Sequence, residues 1–189
     1  MIKKITSIIS LLLLLFALQP VNAQCEVTNN AFASGEYDLY FNFGIFRARA
    51  GNGSLTVTES NYRGINSLKT VMMLNTTGLA NNLYSVNDTL TSYVDKNMRP
   101  LLFTKEAHEG GDHSVERQSF TYENDRVNIL SIRNFNGKER FDEVIESDMC
   151  TYDYLSVLSL IRNIDFSAMK KGDRKFIQFI SGKKAVNMY

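Results

Sequence analysis

The sequence predicts a mainly-β, α+β domain in which a curved antiparallel sheet or half-barrel wraps one buried helix at about 153–163. Three observations carry this. Apolar and polar residues alternate with period two over most of the chain between residues 37 and 146. Turn pairs such as Asn136-Gly137 separate the alternating runs. One stretch, CTYDYLSVLSLIRN at 150–163, instead bunches its apolar residues as a helix does.

The elements follow in chain order. Residues 1–23 read as a secretory signal peptide. Lys3 and Lys4 precede the apolar run Ile5–Leu18, then Pro20, and Val21-Asn22-Ala23 supplies a cleavage site after Ala23. That run is too short to span a bilayer, and no later stretch is long enough. No transmembrane segment is therefore expected after cleavage. Gln24 stands where lipoprotein processing requires a small residue, so Cys25 is not read as a lipid anchor. Residues 24–189 make a single domain. Two of the 21 Lys and Arg leave with the leader, and the remaining 19 against 20 Asp and Glu give a formal charge of −1. No basic excess recruits nucleic acid.

In GEYDLYFNFG, Tyr37, Leu39, Phe41 and Phe43 share one strand face, with Asp38, Tyr40 and Asn42 on the other. GSLTVTE continues the pattern, Asn61–Gly64 turns, and a long strand runs from about Ile65 to Asn75. A loop or short helix is expected near Gly78–Tyr84. DTLTSYVD alternates again, and Pro100 opens a strand or marks an edge. SVERQSFTYE, RVNILSIRN and KERFDEVIE form a meander through turns at Asn124-Asp125 and Asn136-Gly137. Their charged faces fit a sheet with one side in water. Tyr154, Leu155, Val157, Leu158, Leu160, Ile161 and Ile164 leave the following helix almost no polar face, so residues 154–161 are expected in the core. Asp153, or Thr151 before it, caps that helix. RKFIQFIS gives a last strand, and GKKAVNMY reads as a further strand beginning, so the domain is expected to be incomplete at its C-terminus.

Several of these residues in order resemble the exported bacterial proteins of the domain of unknown function 3108 family. They are Gly35-Glu36, Tyr40, Phe43-Gly44, Ala48 and Ala50-Gly51; then Asp88, Asp95, Pro100, Phe103 and Glu109-Gly110; then Asp153, Leu155-Ser156, Arg162, Asp165 and Gly172-Asp173. The style resembles members from Bacteroidetes. The resemblance implies export and a curved, mostly antiparallel β fold. It implies no established activity, hence no catalytic residues and no cofactor.

Few residues point to chemistry. Cys25 and Cys150 read as a disulfide, favoured over two free thiols in an oxidising compartment. The two histidines, His108 and His113, sit five apart among Glu106, Glu109 and Asp112. Imidazoles with carboxylates are transition-metal ligands. The spacing matches no established metal motif, however, and Gly110-Gly111 is an ordinary hairpin turn, so a solvated turn is the expected reading. No nucleophile elbow is present, and Ser156 has no histidine partner in view. Arg162, inside an apolar helix, must be paired or must reach water. It is read either as an internal ion-pair partner or carbonyl clamp, with Asp153, Asp165 or Asp173 as partners, or as the anchor of an acidic head group. Tyr37, Phe41 and Phe43 are read as core, or as the lining of a cavity. Asp88-Thr89-Leu90 resembles an O-glycosylation acceptor of exported Bacteroidetes proteins, which would modify Thr89.

The function expected is that of an exported periplasmic or outer-membrane-associated binding or carrier module for an apolar or amphipathic, lipid-like molecule, with no catalysis. The alternative is an envelope protein-interaction module with no small ligand.

Overall fold

The computed structural model describes Cys25 and residues 34–189, with the side chains of Phe43 and Phe46 excepted. Residues 1–23, read from sequence as a signal peptide, lie outside the described residues. Eight strands form an antiparallel meander in sequence order: β1 (Gly35–Phe43), β2 (Phe46–Tyr62), β3 (Ile65–Thr76), β4 (Val86–Asp95), β5 (Pro100–Glu109), β6 (Asp112–Glu123), β7 (Arg126–Phe135) and β8 (Lys138–Ser147). The sheet is not closed, and β1 and β8 are its edges. A short helix, α1 (Gly78–Leu83), sits between β3 and β4, the second of the two forms, loop or short helix, that the sequence allows there. Asn124-Asp125 and Asn136-Gly137 adopt positive φ and make the tight turns of the meander.

The chain then leaves the sheet. β9 (Thr151–Tyr152) leads into α2 (Tyr154–Arg162), a 3₁₀ turn at Phe166–Ala168, and the hairpin of β10 (Ile177–Ser181) with β11 (Lys184–Met188). These strands make a second sheet in the order β11-β10-β9, with β9 parallel to β10. Lys184–Met188 of the segment read as a strand beginning pair with β10.

Strand β2 runs unbroken through Gly51-Asn52-Gly53, a turn-like composition. The close approach of β3 explains Gly51: a Cβ there would lie 2.0 Å from the Asn75 carbonyl oxygen. Gly51→Ala must push the two strands apart and will cost about 2–3 kcal/mol in urea unfolding. Gly53→Ala, which meets the flexible end of Leu74 at 3.0 Å and the Met73 carbonyl oxygen at 3.4 Å, will cost less.

Helix α2 joins the two sheets. Leu155 packs with Phe103, Phe120, Val127, Ile129 and Ile180 in one core cluster. Val157 and Leu160 join Cys25, Tyr152 and Ile177 in a second. The expectation that all of 154–161 is core needs correction, since Tyr154 is 37% exposed and Leu158 45%. Ser156 and Ser159 are buried in their place. Both hydroxyls are satisfied within the helix, on the Asp153 and Leu155 carbonyls. Their small size lets the helix sit close to its neighbours.

Candidate functional site

Cross-strand partners share a sheet face, so the register traces the face on which α2 packs. One row runs Val57, Thr70, Ser92, Phe103, Gln118, Ser131. Beyond it, away from the Phe120–Ile129 core, comes the row Leu55, Met72, Leu90, Lys105, Glu116, Arg133. The next is Tyr37, Gly53, Leu74, Asp88, Ala107, Ser114. In these outer two rows the chemistry changes across the sheet. On β1 to β3 the side chains are mostly apolar. From Asp88 and Lys105 onward they are mostly polar or charged.

The polar half is held together internally. Lys105 Nζ lies 3.0 Å from Glu109 Oε1 and 3.3 Å from Asp88 Oδ2. Gln118 Nε2 donates to Glu116 Oε1 at 2.7 Å. Asp88, Glu116 and Gln118 are buried. Two buried acceptors, Gln118 Oε1 and Asp88 Oδ1, have no hydrogen-bond donor among the described residues. Burial pushes the Asp88 carboxyl above its ordinary value, and the neighbouring Glu109 adds to this against the opposing pull of Lys105. The hydrogen bond from Lys105 holds Glu109 below the usual range. For Lys105, burial pulls downward, but Glu109 and Asp88 together outweigh it and raise the ammonium. The group therefore carries fixed charges of both signs beside two buried acceptors.

Alternation on β5 hides this site in the sequence. Lys105, Ala107 and Glu109 point one way, and Thr104, Glu106 and His108 the other. Both faces read as polar, so the pattern marks no inside. Only the pairing with Leu90 and Asp88 shows which side continues the apolar rows.

The residues singled out from sequence fall in several places. Tyr37 and Phe41 are on the α2-bearing face of edge strand β1, 49% and 63% exposed, and are not core. The reason is position, for α2 packs at β4, three strands away. The Phe43 side chain lies outside the described residues. Tyr37 borders an open cleft of about 400 Å³ whose other walls include Glu36, Asp38, Arg49 and Asn75. Arg162 ends α2 and is exposed. No ion pair joins it to Asp153, Asp165 or Asp173 among the described residues. It reaches water at the helix C-terminus, where a cation suits the helix dipole. Asp153 caps the other end of the helix. Thr89 is half-buried in mid-strand on the opposite face, between Met73 and Glu106. Cys25 and Cys150 are bridged, with their Cα atoms 5.1 Å apart. His108 and His113 face each other across β5 and β6, while Glu109 and Asp112 turn to the α2-bearing side.

The family model described as Protein of unknown function (DUF3108) matches residues 36–189. The chain belongs to this family. In DUF3108 terms, the match spans all eight strands of the meander, α2 and the final hairpin. No curated protein and no solved structure shows significant similarity to the chain. No described helix is long and apolar enough to cross a membrane.

Proposed function

We propose that this DUF3108 protein is an exported, non-catalytic binding or carrier module of the periplasm or outer envelope. Its ligand is amphipathic and lies on the α2-bearing face of the sheet. The observation that supports this is the change along the rows, from Leu55, Met72 and Leu74 to the polar group at Asp88, Lys105 and Gln118. An apolar chain suits the first half. A head group that donates hydrogen bonds, such as an amine, amide or hydroxyl, suits the partly exposed carboxylate of Glu109 at the rim of this group. This differs from the acidic head group that Arg162 would have anchored. Tyr37, Phe41 and Leu158 are all exposed, so the ligand sits on an open face rather than in an enclosed cavity lined by them.

Native mass spectrometry of the protein purified from its own envelope, before and after denaturation, tests the reading. A small molecule released on denaturation is expected. The fluorescent probe N-phenyl-1-naphthylamine gives the second arm: dodecylamine will displace it about tenfold more effectively than dodecanoate, the worth of one charge-assisted hydrogen bond. Equal displacement removes the head-group assignment. A bare protein that also fails to bind the probe removes the carrier.

Among the described residues β1, β8 and β11 are sheet edges with no further strand beside them, which favours a second reading, a module that docks envelope proteins by strand addition. Cross-linking from β11 to a defined partner, with no ligand released, is its expected signature.

A further inference from the structure

Both histidines of the chain meet on the sheet face opposite α2. Gly110 and Gly111, at φ 59° and 99°, form a two-residue turn that sets Glu109 opposite Asp112 and His108 opposite His113. The pair one step beyond such a turn is not hydrogen-bonded across the strands, which is where side chains approach most closely. Accordingly the His113 N–H and C=O turn the other way: the N–H donates to Asn136 Oδ1 and the C=O accepts from the Asn136 N–H, both at 2.7 Å. The imidazoles stack with centroids 4.3 Å apart and planes 10° from parallel.

Glu106 precedes His108 by two residues and so shares its face. Its Oε1 lies 3.4 Å from His113 Nε2 and 3.7 Å from His108 Nε2. His113 Nε2 is buried and has no hydrogen-bond partner. The three ligand atoms lie within 4.8 Å of one another. A tetrahedral zinc with bonds of about 2.0–2.1 Å holds its ligands roughly 3.3–3.4 Å apart, so the spacing fits, and binding must unstack the two rings so that their in-plane lone pairs converge.

We propose that Glu106, His108 and His113 form a surface site for a divalent transition metal of the zinc, nickel or copper class, with the remaining coordination open to water or an external group. Two imidazoles and one carboxylate match the ligand preferences of these ions. Magnesium and calcium need a shell of oxygens that this trio does not offer. The cysteines are bridged and do not compete for the ion.

The test uses the mature, untagged, disulfide-bonded chain at pH 7.5. Titration with zinc chloride, followed by calorimetry and by competition against a zinc-sensing dye, will show one equivalent bound. Binding will weaken at least about tenfold in His108→Ala and in His113→Ala, and will fall at pH 5 as protons compete for the imidazoles. Magnesium will not bind. The ligands are on a sheet surface, so circular dichroism of each variant will match the parent, and histidine side-chain NMR of the parent will shift on adding zinc. No zinc uptake overturns the site. Uptake of equal affinity in both histidine variants, or with no histidine NMR shift, overturns it equally by placing the metal elsewhere.

Discussion

Asp153→Ala will lower the unfolding free energy by about 3–5 kcal/mol in urea titration. Its fully buried carboxylate accepts three hydrogen bonds, from the Leu155 N–H at 2.8 Å, the Ser156 N–H at 3.0 Å and the Ser92 hydroxyl at 2.7 Å. Alanine leaves these buried donors without partners, at roughly 1–3 kcal/mol each before relaxation. It also removes the N-cap of the helix that joins the two sheets. Asp153→Asn keeps one acceptor for the two N–H groups and offers an N–H to Ser92, so it mimics the protonated acid and will cost much less. The two variants also separate the charge from the shape. Burial is the largest influence on the Asp153 carboxyl and raises its pKa, against the hydrogen bonds from Ser156, Ser92 and Leu155. A carboxyl raised on folding contributes stability that is full below its unfolded value, about 3.9, and is lost as pH rises through the folded value. Wild type will therefore lose ground to Asp153→Asn as pH increases above about 4. A gap between the two that does not change with pH would refute this account of the cap.

The double variant Cys25→Ala/Cys150→Ala will be destabilised by a similar amount. The bridge spans 125 residues. In the chain-entropy picture a loop of that size restricts the unfolded chain by about 5 kcal/mol, and measured losses run at about 2–5 kcal/mol. Cys25 is also buried against Tyr152, Val157, Leu160 and Ile177, so packing is lost with the covalent link. Thermal melts with and without reductant will differ in the parent and coincide in the variant. Iodoacetamide will label the unfolded parent only after reduction. Labelling before reduction would show that the thiols are not joined.

The capping aspartate shows how far sequence reasoning reaches. Asp153 was one of two residues able to cap the helix, because a short acceptor before an apolar run satisfies the first free N–H groups whatever the fold. That Ser92 lies against the same carboxylate could not be read, since the two are 61 residues apart and β4 must first be placed beneath the helix. Arg162 illustrates the opposite case. The helix before it is largely apolar, which points inward, yet it is the last helical residue and its side chain is free to reach water. Tyr37 and Phe41 alternate as core residues do, but they belong to an edge strand that α2 does not reach.

By itself the sequence determined the mainly-β class, the three-strand meander through Asn124-Asp125 and Asn136-Gly137 and the helix that begins after Asp153, and it favoured joining the two cysteines. Period-two alternation, turn pairs at positive φ and a helix cap are local, and they are written in neighbouring residues. Which face of β5 continues the apolar rows, which helical residues lie outside, and that Glu106, His108 and His113 converge were decided by the tertiary structure alone. These depend on cross-strand register and on where α2 rests. A one-residue slip in register moves a strand's side chains to the other face.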